Sequence, residues 1–240
     1  MSAWLVAIDD TDNEASIGTG RLARELALHL EEVGLLRGTS VTRHQLLVHP
    51  DIPYTSHNSS ACIEGGAGAA DGFVLLDAAR AFLRANFHAG ANPGLCVCRA
   101  AGVPEPLVGL GRRAQREVLR LDAFDAATAR LGLALWSGGE TGQGRIGACA
   151  GAALRSTGED GRFIGLAGIR DLEGLLRVGE ITERSGVAEV RTADGRRLEA
   201  GAKIETRGWV RPNLVGGRPV LVVRPDGGRF VPCESRSRDA

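Results

Sequence analysis

The chain has 240 residues, enough for one large domain or two small ones with a real core. Lys and Arg total 29, as do Asp and Glu, so no net positive field draws the protein onto nucleic acid and only a local patch can do so. The single lysine, Lys203, excludes a P-loop of the G-x-x-x-x-G-K-[ST] kind and is the only possible Schiff-base side chain.

In chain order, residues 3–8 (AWLVAI) are a short apolar run that stops at Asp9 and Asp10, as in a buried strand delivering acidic side chains from its end. With no basic stretch before it, the run reads as a first strand and not a signal peptide. A polar, glycine-containing loop follows. Leu22, Leu26 and Leu30 then recur at helical spacing, which predicts an amphipathic helix over 21–36. HQLLVHP predicts a second strand at 44–50, stopped by Pro50, and SSACIEGG a third. Ala78, Phe82 and Phe87 mark a helix within 71–94. In GLCVCRAAG, Cys96 and Cys98 share one face of a strand. Residues 104–120 predict a helix carrying Arg112, Arg113, Arg116 and Arg120, a basic face that could meet phosphate or simply be solvated.

Next come a helix, a glycine-rich loop, an Ala-rich helix and the strand GRFIGLAGIRD. From about residue 172 the texture changes to short alternating runs punctuated by ADG, Gly-Gly and Pro-Asp-Gly, a β-meander of about five strands. The expectation is an α+β protein: a mixed-sheet domain over 1–171, then a small all-β module over 172–240 with a frayed tail.

No apolar run reaches the roughly 18 residues of a membrane span. The five cysteines are odd in number and include no C-x-x-C pair, which argues against a disulfide framework or zinc ribbon and for a reducing cytoplasm. Cys62 and Cys149 read as core residues.

Three segments carry chemistry. Asp9, Asp10 and Asp12 place three carboxylates within four residues. Left unpaired they repel, and Mg²⁺, which takes a few carboxylates together with waters and phosphate oxygens, resolves the repulsion. A turn with an Asp cap accounts for one aspartate but hardly three. Ser16–Gly20 (SIGTG) precedes the first helix, where the backbone N–H groups of Gly18 and Gly20 and the Thr19 hydroxyl can approach an anion. A flexible capped loop is the alternative. The third segment, Ser137-Gly138-Gly139-Glu140-Thr141-Gly142-Gln143-Gly144-Arg145, is a second phosphate cradle, with Arg145 placed to neutralise transferring oxygens, or else a plain surface loop. In the polar stretch before the third strand, His57 and Asn58 can hydrogen-bond a base or orient a nucleophile; loop capping explains them equally. Asn92-Pro93-Gly94 reads as a turn opening a strand.

Taken together, IDDTDN, a Gly-Thr at a helix start, HPDIPYTSHNSSAC, NPGL and GGETGQGRIGA occur in the motif order of the archaeal tRNA(Ile) agmatidine synthetase family, which the sequence resembles over about residues 3–170. The resemblance implies a kinase-like domain binding ATP with Mg²⁺. Asp9, Asp10 and Asp12 would take the metal role, Thr19 would match a threonine implicated in phosphoryl transfer, and the GGETG loop would hold phosphates. Gly20 stands where that family has a second threonine. The family's further domains, which serve agmatine and tRNA, have no counterpart in about 60 residues of β-meander, so a partner protein would supply them if tRNA is the substrate. The expected function is therefore an ATP- and Mg²⁺-dependent phosphotransferase or ligase, with Thr19, Asp12 and Arg145 catalytic and an RNA or a small molecule as acceptor. The alternatives are a nucleotide-binding regulatory or adaptor protein without catalysis, and a tRNA-binding module using the Arg-rich helix and Trp209.

Overall fold

Five consecutive apolar residues, Trp4–Ile8, are buried in the first strand, β1 (Ala3–Asp9), as befits a strand covered on both faces. The computed structural model that shows this describes residues 3–13, 18–52, 58–68, 71–208 and 210–233. The chain divides into two compact units, Met1–Gly165 and Leu166–Ala240.

In the first unit β1 lies between β3 (Ser59–Ala67) and β4 (Gly94–Arg99), antiparallel to both. With β2 (Leu36–Gln45), β5 (Ala134–Ser137) and β6 (Arg162–Gly165), the strand order is β5-β4-β1-β3-β2-β6, every described pairing antiparallel. Leu5 and Ala7 face one way, with Cys62 and Cys96. There they pack against α5 (Gly144–Ser156), α3 (Glu105–Ala114) and α4 (Leu121–Thr128). Helices α1 (Thr19–Glu32) and α2 (Gly72–Asn86) cover the opposite face, where Trp4 meets Gly72. Burial of Leu22, Leu26 and Leu30 in α1 follows the spacing read from the sequence. The rings of His29 and Phe82, stacked 5.2 Å apart, join α1 to α2.

The second strand departs from expectation. It starts at Leu36, not at residue 44, and runs through a bulge between Arg37 and Ser40. Its buried side chains include Thr42 and His44, polar residues that hide the strand from a hydrophobic pattern. Helix α3 ends at Ala114, short of the predicted residue 120. Three of the four arginines predicted for its face have local carboxylate partners, Arg112 with Glu105 at 3.6 Å, Arg113 with Glu117 at 3.1 Å and, beyond the helix, Arg120 with Asp122 at 3.3 Å. Strand β5 forms where no strand was predicted.

The second unit comprises β7 (Leu175–Arg177), α6 (Val178–Arg184), β8 (Glu189–Thr192), β9 (Lys203–Glu205), β10 (Asn213–Val215), β11 (Arg218–Asp226) and β12 (Arg229–Pro232). Its described strands follow the order β10-β11-β12-β9-β7, and β8 also pairs with β11. The pairs β8–β11 and β9–β12 are parallel. The unit is thus neither a pure meander nor all-β: parallel neighbours need crossovers, and α6 is part of its wall. Ile169, Ile181, Ile204 and Leu221 lie at the centre of a core of its own. Among the described residues no helix is long and apolar enough to cross a membrane.

Candidate functional site

β1 ends in the middle of its sheet, so Asp9 emerges between the ends of two neighbours, opposite Gly94 in the register. Its carboxylate lies against the first turn of α5. A Cβ on Gly147 would overlap it, so the absence of a side chain there is what admits Asp9. Burial, the first cause, and then the neighbouring Asp10 charge push the Asp9 pKa up to about 7. Asp10 is also raised, chiefly by burial, against a backbone N–H of Asn92 that favours its charged form.

The chain reverses at Asp10, whose φ of 51° is in the left-handed region that aspartate tolerates better than most residues. The reversal turns Thr11 inward, where it is buried. The Thr11 hydroxyl donates to Thr19 Oγ1 at 3.0 Å, and Thr19 in turn donates to Asp12 Oδ1 at 2.7 Å. Thr19 opens α1, with Gly18 (φ 80°) before it and no side chain capping the helix. The Asp12 carboxylate therefore accepts a hydroxyl proton at a helix N-terminus, where negative charge is favoured.

The glycine loop joins this turn through Asn92. Asn92 Oδ1 accepts from the N–H groups of Glu140 and Thr141, both at 2.9 Å, while its own N–H faces Asp10. Gly139 (φ 70°) passes so close that a Cβ would sit 2.7 Å from Asn92 Oδ1. Gly94 and Gly144 touch backbone to backbone, locking the start of α5 beside the start of β4. On the other side His88 N–H donates to Thr11 O at 3.2 Å, and Asn13 Nδ2 to Ala89 O at 3.2 Å. Asn92 is the residue that sequence reasoning missed. Read as a turn signal, it is the bridge between the acidic turn and the loop, and the side-chain amide before Pro93 was the available clue.

Among the predicted site residues the structure thus brings together Asp9, Asp10, Asp12, Gly18 and Thr19, and through Asn92 it ties the segment Gly138–Gly142 to them. Ser137 ends β5 opposite Gly94. Arg145 is shared between the glycine loop and α4: its Nε donates to Gly142 O at 3.2 Å while both terminal nitrogens reach the Asp125 carboxylate, at 3.1 and 3.2 Å, so the guanidinium does not reach the acidic turn. At Gly20 a Cβ would lie 3.0 Å from Ile164 Cδ1 of β6, so a larger side chain there would need Ile164 to shift. Asn58 lies just before β3, where its side chain donates to Leu47 O at 2.6 Å and serves the loop. His57, Ser16, Ile17 and Trp209 lie outside the described residues.

Among the described residues no three His, Cys, Asp or Glu side chains gather closely enough to form a metal cage by themselves. The acidic turn still suits Mg²⁺, because that ion takes one or two carboxylates and completes its shell with water and phosphate oxygens. Carboxylates held by burial and mutual repulsion above their ordinary pKa are those a cation would relieve.

No protein-family profile and no curated protein matches the sequence. The fold does have solved counterparts. The crystal structure of TiaS in complex with an isoleucine tRNA and ATP matches 64% of this chain and 36% of that one, at 21% identity and a TM-score of 0.55. Apo TiaS, an agmatidine synthetase acting on isoleucine tRNA, matches at 22% identity and 0.54, and a tRNA fluorescent labeling enzyme at 23% and 0.53. The chain spans about a third of the length of these proteins and shares their fold over a stretch close in extent to its first unit.

Proposed function

We propose that the first unit binds ATP with Mg²⁺ between the acidic turn and the glycine loop and transfers a phosphoryl or nucleotidyl group from it. The observation that carries this reading is the Thr19–Asp12 hydrogen bond, set at a helix N-terminus next to two carboxylates whose charge burial opposes. Asp9, Asp10 and Asp12 are the residues that would hold Mg²⁺, which when bound neutralises charge on phosphate oxygens. The N–H groups of Glu140 and Thr141 are fixed by Asn92, so they shape the loop and leave other loop N–H groups to face phosphate. Asp12 accepts the Thr19 proton and makes that hydroxyl the better nucleophile or hydrogen-bond donor. Arg145 acts on the transferring group only if it leaves Asp125. The acceptor is an RNA, a reading supported by the shared fold with proteins solved in complex with tRNA and ATP. A small-molecule acceptor is the alternative. A partner protein would hold the acceptor.

Titration calorimetry with ATP, with and without Mg²⁺, tests the site on wild type and Asp10→Ala. Binding that needs Mg²⁺ and is lost in the variant supports it; binding unchanged in the variant overturns it. Incubating labelled ATP with a tRNA pool then asks whether RNA is the acceptor. The ion pair between Arg145 and Asp125 favours a second reading, a nucleotide-binding regulator without catalysis, and Mg²⁺-ATP binding with no turnover on any acceptor would select it.

A further inference from the structure

Thr11 stands between Asp10 and Asp12, yet the metal and phosphate roles leave its side chain unused. It is 1% exposed and carries no charge to hold a cation. A buried hydroxyl finds a hydrogen-bond partner, most often a backbone carbonyl. Ser60 settles on Ile8 O at 3.2 Å and Thr128 on Phe124 O at 2.9 Å. Thr11 differs: its hydroxyl donates to another side chain, Thr19 Oγ1, at 3.0 Å, and its backbone N–H faces the same oxygen at 3.4 Å.

Thr19 in turn gives its one hydroxyl proton to Asp12 Oδ1 at 2.7 Å. The three groups form a directed chain, from the Thr11 O–H through the Thr19 O–H to the Asp12 carboxylate. Donation into Thr19 Oγ1 polarises the Thr19 O–H and strengthens its bond to Asp12. It also selects a rotamer. Threonine on a helix divides between two χ1 wells, and the bond from Thr11 holds the one in which Oγ1 faces Asp12. Thr11 is well placed for this because its own backbone is anchored. Asp10 reverses the chain before it with φ 51°, and Thr11 O accepts the His88 N–H at 3.2 Å from the segment after α2.

On the nucleotide-transfer reading above, we propose that Thr11 is a positioning residue for that reaction. Its hydroxyl holds Thr19 Oγ1 in the orientation that directs the Thr19 proton to Asp12. Buried as it is, the Thr11 side chain acts through Thr19 and not by contact with the nucleotide.

The test measures turnover of labelled Mg²⁺-ATP with a tRNA pool, and calorimetric affinity for Mg²⁺-ATP. The proteins are wild type, Thr11→Val, Thr11→Ser, Thr19→Ala and the double variant Thr11→Val with Thr19→Ala. Valine keeps the shape and the N–H and removes the hydroxyl; Thr11→Ala, read in the same way, replaces it should valine not fold. Thr11→Val is expected to lower kcat by about 10–10²-fold. KM for ATP and the calorimetric affinity should stay within about twofold of wild type. Thr11→Ser keeps the donor and should hold kcat within about threefold of wild type. On the Thr19→Ala background Thr11→Val should change kcat by no more than about twofold, because the oxygen it positions is gone. The proposal is overturned if Thr11→Val turns over as wild type does, if its loss of kcat comes with an equal loss of ATP affinity, or if its effect is the same with and without Thr19. Wild type that binds no Mg²⁺-ATP or forms no product overturns the nucleotide-transfer reading and this role with it. Wild type that turns over beside an equally active Thr11→Val overturns this role alone.

Discussion

Two buried polar clusters in the first unit make opposite use of the same chemistry. In one, His44 is fully enclosed between Asp160, 2.8 Å from Nδ1, and Thr42, 2.8 Å from Nε2. Gln115 Nε2 donates to the other Asp160 oxygen at 2.9 Å. Burial holds the His44 pKa below its ordinary value, so the ring is neutral, with Nδ1–H donating to the carboxylate and Nε2 accepting from Thr42. Every polar group there has a partner, and no room is left: a Cβ on Gly161 would crowd the His44 ring. The acidic turn is built the other way. Asp9 and Asp10 face each other's charge, and burial raises both pKa values. A closed network of this kind is structural, tying β2 to the segment before β6. Carboxylates that are hydrogen-bonded yet crowded by like charge and burial instead suit a cation.

The largest expected effect that separates the two is on turnover. Asp12→Ala removes the acceptor of the Thr19 proton and should lower Mg²⁺-ATP-dependent transfer by about 10²–10⁴-fold, in steady-state kinetics, with little change in melting temperature. His44→Leu should do the converse. It takes the His44 partner away from one Asp160 oxygen and from the Thr42 hydroxyl, and should cost roughly 2–3 kcal/mol in urea unfolding, while Mg²⁺-ATP affinity stays within about twofold. If both variants lose ATP binding equally, the clusters are one unit and the contrast is wrong.

Proton linkage gives the clusters opposite signs. Asp9 has a folded pKa of about 7 against an unfolded value of 3.8, so the metal-free folded state binds the extra proton between these values. Its contribution to stability is present at low pH and is lost as pH rises through 7. Asp9→Asn should therefore stabilise the metal-free protein by up to about 4 kcal/mol at pH 8 and hardly at all near pH 4, while abolishing the Mg²⁺ dependence of ATP binding. His44 has a lowered folded pKa, so the stability it gives is present above the unfolded value of 6.5 and is lost as pH falls below it. Urea midpoints of His44→Leu and wild type should converge as pH drops from 7 to 5. The smallest effect belongs to the α3 surface: Arg113→Ala removes an exposed pair with Glu117 and should change stability by less than about 0.5 kcal/mol.

Much of this was legible in the residues themselves. The apolar run 3–8, the leucine spacing of α1 and the glycine loop before α5 each declare their element locally, and the order of acidic turn, Gly-Thr and glycine loop pointed to one site. What stayed hidden depended on partners far along the chain. Strand β2 is polar in sequence because Thr42 and His44 are satisfied by each other and by Asp160, 116 residues beyond His44. Arg145 looked like a free cation because nothing local showed Asp125 waiting for it, 20 residues earlier. The Arg-rich helix looked more basic than it is because the carboxylates that pair with Arg112, Arg113 and Arg120 have to be placed by helix geometry and by the turn after it.

The sequence by itself determined the local elements and the chemical types at the site, because helical spacing, glycine freedom and clustered like charges act over a few residues. Only the tertiary structure decided which groups meet. Gly147 shows this: in sequence it is one glycine of an Ala- and Gly-rich helix, and in the fold it is the gap through which Asp9 reaches the helix start. Asn92 shows it again, since a side-chain amide becomes a bridge only when two loops from opposite ends of the first unit arrive on either side of it. Close packing and hydrogen-bond satisfaction are properties of pairs brought together by the sheet order, which no short stretch of chain encodes.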